Sequence, residues 1–215
     1  MFAAGTDTAY LVLEFAMAEL MLHPEAMAKL QHEVRSSSIP KGRNAINEDD
    51  LAGMTYLKAV IKETLRLHPP SPLLLPHLSS EDCDDVEGFR VPAGTTVLVN
   101  VWAIGRDPEL WDAAEEFVPK RFVRNNGENE GVDFRGKDFQ LLPFGSGRRM
   151  CPGMNFATAT IEIMLANLVY HFDWDLPEGV EKVDMAEVPG LTVGRKEKLL
   201  LIPTAPGIDH LLKGY

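Results

Sequence analysis

The chain has 215 residues, of which 45% are hydrophobic and 25% are charged, and its formal net charge is −11. This is an ordinary globular composition, and the length suits one domain with a sizeable core or part of a larger domain. The negative charge argues against a general nucleic-acid binder, which needs a basic face. Two cysteines do not make a disulfide framework, no apolar run reaches the length of a membrane helix, and the N-terminus does not resemble a signal peptide.

Apolar periodicity predicts three long helices and one shorter helix. The first long helix covers Met1 to Leu22 and has so few polar positions that it should be largely buried. A shorter helix follows from Pro24 to about Val34. The second long helix covers Thr55 to Leu67 and is ended by Pro69-Pro70. The third covers roughly Met154 to Phe172.

Short β-strands are predicted in two regions. Val86 to Val91 and Thr95 to Val99 have strand character, and Pro92-Ala93-Gly94 between them predicts a hairpin. Near the C-terminus, Val193 and the run from Leu199 to Ile202 are predicted as edge strands around a turn. Polar, glycine-containing stretches predict surface loops at Ser36 to Arg43 and Asn125 to Gly131.

The segment from Phe144 to Gly153, FGSGRRMCPG, contains the cysteine that is placed for chemistry. Cys151 lies just before the last long helix, near the positive end of the helix dipole and near unpaired N–H groups, which favours a thiolate. Gly145 and Gly147 let the backbone approach a flat or bulky partner closely, and Arg149 can meet an anion on that partner. This combination suits a haem iron and a haem propionate, although a buried cysteine in a tight turn is the alternative.

The same segment matches the haem-binding signature FxxGxRxCxG of the cytochrome P450 family. The five fixed positions are Phe144, Gly147, Arg149, Cys151 and Gly153. The resemblance implies that Cys151 is the axial ligand of the iron of haem b, and that Arg149 binds a propionate. The cofactor-binding residues that it implies are Phe144, Gly145, Gly147, Arg149, Cys151, Gly153 and, further upstream, His77.

Near the start of the chain, Ala4-Gly5-Thr6-Asp7-Thr8 interrupts an otherwise apolar helix. A glycine inside a helix costs about 1 kcal/mol relative to alanine, and a frayed helix start is one explanation of the segment. The segment also resembles the oxygen-activation motif Ala-Gly-x-Asp-Thr of the same family, at Ala4, Gly5, Asp7 and Thr8. The resemblance implies that the helix is locally opened beside the iron and that Asp7 and Thr8 are catalytic proton-relay residues, a task that suits a carboxylate and a hydroxyl.

Glu63 and Arg66 lie three residues apart on one helix face, where a bidentate ion pair can form. Most such pairs are surface pairs worth about 0.3–0.5 kcal/mol. The pair resembles the ExxR motif of the family, and Phe117 to Phe122 resembles its PERF motif with Lys120 in place of the acid. The resemblance implies a buried structural triad of Glu63, Arg66 and Arg121.

The extended apolar stretch from Ser71 to Pro76 precedes His77. The resemblance implies that this stretch passes over the haem and lines a substrate pocket, whereas plain core packing is an equally good interpretation. His77 stands where relatives bind a propionate, and a solvated loop histidine is the alternative. The implied pocket residues are Ala4, Gly5, Leu73, Leu74 and Leu75.

The four motifs follow the order of the family, and the sequence around them is most similar to plant microsomal members. The resemblance implies a mainly α-helical fold with small β-sheets (α+β), corresponding over residues 1–215 to the C-terminal half of the cytochrome P450 fold. It begins inside the long central helix, so the N-terminal half and its membrane anchor are expected outside this sequence.

The function implied is that of a haem-thiolate monooxygenase, which oxidises a small apolar organic substrate. Its electrons would come from an NADPH–cytochrome reductase that docks near Arg148. Family members of this type work at the cytosolic face of the endoplasmic reticulum, attached through the anchor. For this chain alone, the alternatives are a fragment that binds haem without turnover and a haem-free interaction module.

Overall fold

The computed structural model describes residues 2–36, 44–123 and 131–206. The helices predicted from apolar periodicity are confirmed, and the second long helix has the predicted bounds. The helices are α1 (Phe2–Leu22), α2 (Pro24–Ser36), α3 (Thr55–Leu67), α4 (Val101–Ile104) and α5 (Met154–His171). Within the described residues, no helix combines the length and the apolarity needed to cross a bilayer. The two predicted polar loops lie almost entirely outside the described residues.

The core forms where α1 packs against α3 and α5. Every residue of α1 from Val12 to Leu20 is buried, as expected for a helix that is apolar on all faces. Two glutamates lie within this buried run, and both have partners. The carboxylate of Glu14 accepts a hydrogen bond from the N–H of Leu199 at 3.0 Å, and the carboxylate of Glu19 binds His68 at 2.7 Å.

Helix α2 binds the ends of two other helices through long side chains. The Arg35 guanidinium donates to the carbonyl of Val169, in the last turn of α5, at 2.9 Å. The Glu33 carboxylate accepts hydrogen bonds from the N–H groups of Tyr56 and Leu57, in the first turn of α3, at 2.8 Å each. Backbone groups that a helix leaves unpaired at its ends are therefore satisfied by a neighbouring helix.

Four two-stranded antiparallel sheets lie outside the helical core of the described chain. The pairs are β1 (His77–Leu78) with β4 (Thr96–Val97), β2 (Cys83–Val86) with β3 (Phe89–Val91), β5 (Asp173–Asp175) with β8 (Ile202–Thr204), and β6 (Glu187–Val188) with β7 (Gly194–Arg195).

The predicted hairpin around Pro92-Ala93-Gly94 is wrong. The hairpin turns instead at Glu87 and Gly88, whose φ angles of 52° and 82° suit the twist of a two-residue turn. The strand at Thr96–Val97 pairs with His77–Leu78, across the whole intervening hairpin. The C-terminal turn predicted at Gly194 to Lys198 is also wrong, because Gly194 and Arg195 form β7.

Candidate active site

A cavity of about 370 Å³ lies between α1, the segment that follows α3, and the loop that precedes α5. It collects residues from three distant parts of the sequence. The predicted site residues that line the cavity are Ala4, Gly5, Thr8, Leu74, Leu75, His77, Phe144, Gly145, Arg149, Cys151 and Gly153. The cysteine loop, the start of α1 and the apolar stretch after α3 therefore share one cavity.

Three of the residues predicted for catalysis, haem binding or the pocket do not line the cavity. Asp7 is exposed and lies off the face of α1 that carries Thr8, because neighbouring helix positions point in different directions. Leu73 is exposed, and Leu74 lines the cavity instead. The N–H of Leu74 closes a turn, and Leu74 itself has a left-handed φ of 52°. Gly147 begins a short 3₁₀ turn at the edge of the loop.

The local opening of the first helix that the resemblance implied is not present. Helix α1 runs without interruption from Phe2 to Leu22. The hydroxyl of Thr8 donates a hydrogen bond to the carbonyl oxygen of Ala4 at 2.8 Å, a bond to the preceding turn that a helix accommodates. Thr8 Oγ1 thus has a defined partner beside the cavity.

Sequence reasoning missed several apolar residues of the cavity wall. Helical spacing could have found four of them, because Ala9 and Val12 lie four residues after Gly5 and Thr8, and Ala157 and Ile161 continue from Gly153 at the same spacing. The missed lining residues include Ala9, Val12, Leu65, Pro70, Phe156, Ala157 and Ile161.

The cysteine loop is closed by its own backbone. The N–H of Cys151 donates to the carbonyl of Phe144 at 2.9 Å. Gly145 and Gly147 have φ angles of 73° and 71°, which glycine adopts without strain. The sulfur lies against the start of α5, since a Cβ added to Gly153 would be 3.8 Å from Cys151 Sγ. The loop therefore presents an accessible sulfur at the N-terminus of a long helix.

A neighbouring turn supports this loop from the side. Ser146 Oγ donates a hydrogen bond to the carbonyl of Gly136 at 2.7 Å, and the rings of Phe134 and Phe144 meet edge to face at 5.4 Å. A Cβ at Gly136 would come within 2.9 Å of Met150 Sδ. This turn was not recognised in the sequence, because its contacts join residues ten positions apart without a periodic pattern.

Glu63, Arg66 and Arg121 form a buried cluster beside the cavity wall. The Arg66 guanidinium donates to both carboxylate oxygens of Glu63 at 2.8 Å, and Arg121 Nε donates to Glu63 Oε1 at 3.1 Å. The same carboxylate accepts the N–H of Val118 at 2.7 Å. The three side chains are at most 6% exposed. Removing one member would leave a buried charge without its partner.

The cavity offers one cysteine sulfur among largely apolar walls. Such a sulfur suits an iron whose other ligands come from a macrocycle. Among the described residues, no group of three or more His, Cys, Asp or Glu side chains is arranged to hold a metal ion. Arg149 and His77 line the same cavity and can meet acidic groups. Fold and site together fit a protein that binds a haem.

The family model for cytochrome P450 matches residues 1–202. The chain belongs to the cytochrome P450 family. It is 59% identical over 207 residues to indole-2-monooxygenase of Zea mays, and the match covers 95% of this chain and 38% of that protein. It is 53% identical over 210 residues to 3-hydroxyindolin-2-one monooxygenase of Zea mays, covering 96% of this chain and 38% of that protein.

The fold is also similar to a solved structure. A zebra fish cytochrome P450 with abiraterone matches with a TM-score of 0.82 at 30% identity, covering 96% of this chain and 45% of that chain. The predicted fold class and the similarity to plant members are thereby confirmed. This chain spans about 38% of the length of the curated plant relatives named above. Membership of the family implies a haem cofactor.

Proposed function

We propose that this chain forms the cysteine-bearing part of a haem-thiolate monooxygenase that oxidises a small apolar organic substrate. The observation that carries this proposal is the shared cavity, in which the Cys151 loop and the Thr8 face of α1 meet. A sulfur ligand, a hydroxyl and an apolar wall are the groups that such a reaction requires from the protein.

Haem b, when bound, would supply the activation of dioxygen, a chemistry that a thiolate ligand favours. The Cys151 sulfur would hold the iron. The backbone at Gly145 and Gly153, which line the cavity, would allow close approach of the ring, and Gly147 would form the turn at the edge of the loop. The side chains of Arg149 and His77 would donate hydrogen bonds to the haem carboxylates, which the lining of the cavity by both residues supports.

Thr8 would hold and transfer a proton at Oγ1. Its hydrogen bond to the Ala4 carbonyl keeps the hydroxyl beside the cavity, and rotation of the proton about the Cβ–Oγ1 bond would release it toward a substrate-side acceptor. Asp7 is exposed on a different face of α1 from Thr8, so it would exchange protons with solvent and reach Thr8 only through water.

The substrate would be small and apolar, because Leu74, Leu75 and Val12 line the cavity. The plant relatives named above are called indole and indolinone monooxygenases, so we propose compounds of this aromatic type as first candidates. Electrons would come from an NADPH–cytochrome reductase that contacts the exposed Arg148 next to the cysteine loop. The complete protein would act at the cytosolic face of the endoplasmic reticulum.

The test uses the two cysteines as a matched pair, since both are exposed. The protein is supplied with haemin, reduced and saturated with carbon monoxide. Wild type and Cys83→Ser should give the red-shifted Soret band of a thiolate-bound haem, and Cys151→Ser should lose it because serine provides no thiolate. A thiolate spectrum that persists in Cys151→Ser would contradict the ligand assignment.

Turnover is measured on the same haem-loaded protein after addition of reductase, NADPH and indole. Hydroxylated product with matching NADPH consumption supports the monooxygenase. NADPH consumption without product, despite a thiolate spectrum, supports the alternative of a haem-binding chain without turnover. A protein that takes up no haem under these conditions would contradict the proposed function and leave the haem-free alternative.

A further inference from the structure

His68, the residue directly after α3, is held between two carboxylates. Its side chain is 8% exposed, Nε2 lies 2.7 Å from Oε1 of Glu19, and Nδ1 lies 3.1 Å from Oε1 of Glu187. Its ring stacks on Phe15, with ring centroids 4.3 Å apart and planes 5° from parallel. A neutral imidazole carries one N–H and an imidazolium carries two, so only the protonated ring donates to both carboxylates.

The charges around this bridge are consistent with a protonated ring. Burial alone would lower the pKa of His68, but the hydrogen bonds and charges of Glu187 and Glu19 outweigh it, so the pKa is raised above 6.5. The other ionisable groups near the bridge are His23, whose Nδ1 lies 3.3 Å from Oε2 of Glu19, and Arg106, whose charge acts on Glu187. Glu187 also pairs in register with Arg195 in β7.

The bridge joins two segments that line the cavity to the β6–β7 hairpin. Glu19 belongs to α1, whose earlier turns line one wall. His68 precedes Pro70, which lines the cavity from another side. Glu187 begins the β6–β7 hairpin, and this hairpin returns to the same segment, where the N–H of Val193 donates to the carbonyl of Pro70 at 2.9 Å.

We propose that His68, through its two carboxylate partners, is a positioning residue that fixes α1 and the β6–β7 hairpin against the Pro70–Ser71 wall of the cavity. A second contact supports the arrangement, because Ser71 Oγ donates to the carbonyl of Leu191 at 3.4 Å. The importance of the bridge for catalysis rests on the proposed function. The bridge itself is formed by protein groups alone, so it is tested without haem.

The sign of the pH dependence follows from the raised pKa. The stabilisation by the bridge is fully present below the unfolded-state pKa of about 6.5, and it is lost as the pH rises through the folded-state pKa. The amide hydrogen of Val193 reports on the hairpin, because its bond to Pro70 breaks when the hairpin moves away. Hydrogen exchange at this amide, corrected for the intrinsic rate, is therefore the measurement.

In wild type, protection of the Val193 amide should fall about tenfold or more as His68 loses its proton, since a hydrogen bond to a charged group is involved. His68→Phe keeps an aromatic ring to stack on Phe15 but cannot bridge, so protection should be low and independent of pH. His32→Gln, a change at an exposed histidine of α2, should keep the wild-type profile.

A second variant keeps the test decisive if His68→Phe does not fold. Glu187→Gln removes one negative charge beside the ring, so the midpoint for His68, followed by ring nitrogen NMR shifts, should move to lower pH. The Val193 exchange midpoint should move with it. Protection that does not change with pH in wild type, or a Val193 midpoint that stays fixed in Glu187→Gln, would overturn the proposal while leaving the haem assignment untouched.

Discussion

At the level of single residues, the buried guanidinium of Arg66 determines how the following loops fold. Besides Glu63, it binds the backbone carbonyl oxygens of Gly105 and, at 2.6 Å, of Ala114. A buried charge is tolerated only when it is paired and its donors are satisfied. The chain from α4 onward therefore wraps around this side chain. The backbone of Gly105 and the backbone of Arg66 lie so close together that little room remains at Gly105.

We predict that Gly105→Ala destabilises the protein by about 1–3 kcal/mol, as overpacking of a close contact does. The added Cβ would lie 2.4 Å from the carbonyl oxygen of Arg66 and 3.3 Å from that of Val101, and both are backbone atoms. Urea unfolding measures the change in the free energy of unfolding. Gly53→Ala is the control, because no atom lies within 4 Å of its added Cβ. Equal midpoints for the two variants would contradict the prediction.

The sequence predicted the acid–base pair at this site but not the carbonyl groups around it. Glu63 and Arg66 share a helix face, and that relation follows from their spacing. The carbonyl oxygens that complete the shell of Arg66 come from positions about 40 to 50 residues later, and backbone acceptors leave no signature in the side-chain pattern. The motif likewise predicted an acid at Asp7, but it did not predict that this residue is exposed and lies off the cavity.

At the level of elements, α3 begins without a capping side chain of its own. Met54 precedes its first residue and makes no side-chain hydrogen bond to the helix start. The carboxylate of Glu33, from α2, accepts the N–H groups of Tyr56 and Leu57 instead. A negative charge there also matches the positive end of the helix dipole. The start of α3 therefore depends on the packing of α2.

We predict that Glu33→Ala lowers the free energy of unfolding by about 1 kcal/mol, the usual effect of losing a helix cap. The two N–H groups would lose their shared acceptor in a partly buried position. Thermal unfolding followed by circular dichroism gives the change. Glu178→Ala, at an exposed loop position, removes the same charge and should leave the midpoint within experimental error. A smaller effect for Glu33→Ala than for Glu178→Ala would exclude a capping role.

Helices were easier to predict than strands for a physical reason. Apolar periodicity over ten or more residues is a local property, and it gave all the longer helices. The strands have two to four residues each, and the pairing of β1 with β4 joins segments on either side of another hairpin. No local pattern specifies such a partner. The turn at Glu87-Gly88 is different, because it is a local feature that lies inside the single strand predicted from Val86 to Val91.

At the level of the whole molecule, burial is distributed unevenly. Leu57 and Val60 of α3 and Leu165 of α5 are fully buried, and they lie in one core. The β2–β3 hairpin is different, because every residue from Cys83 to Arg90 is exposed and Phe89 is 74% exposed. Local opening requires little free energy where few apolar contacts are lost. The hairpin and the core should therefore open in separate steps.

We predict that native-state hydrogen exchange divides the described chain into two classes. Amides of α3 around Val60 should exchange only through global unfolding, with an opening free energy that falls with urea as steeply as the equilibrium value. The paired amides of β2 and β3 should exchange at least a hundredfold faster relative to their intrinsic rates and show little dependence on urea, because opening them exposes little new surface. Amides of α5 around Leu165 serve as an internal control for the core and should follow α3. Hairpin amides with the protection and urea dependence of α3 would contradict the prediction, because they would show that the hairpin unfolds only together with the core.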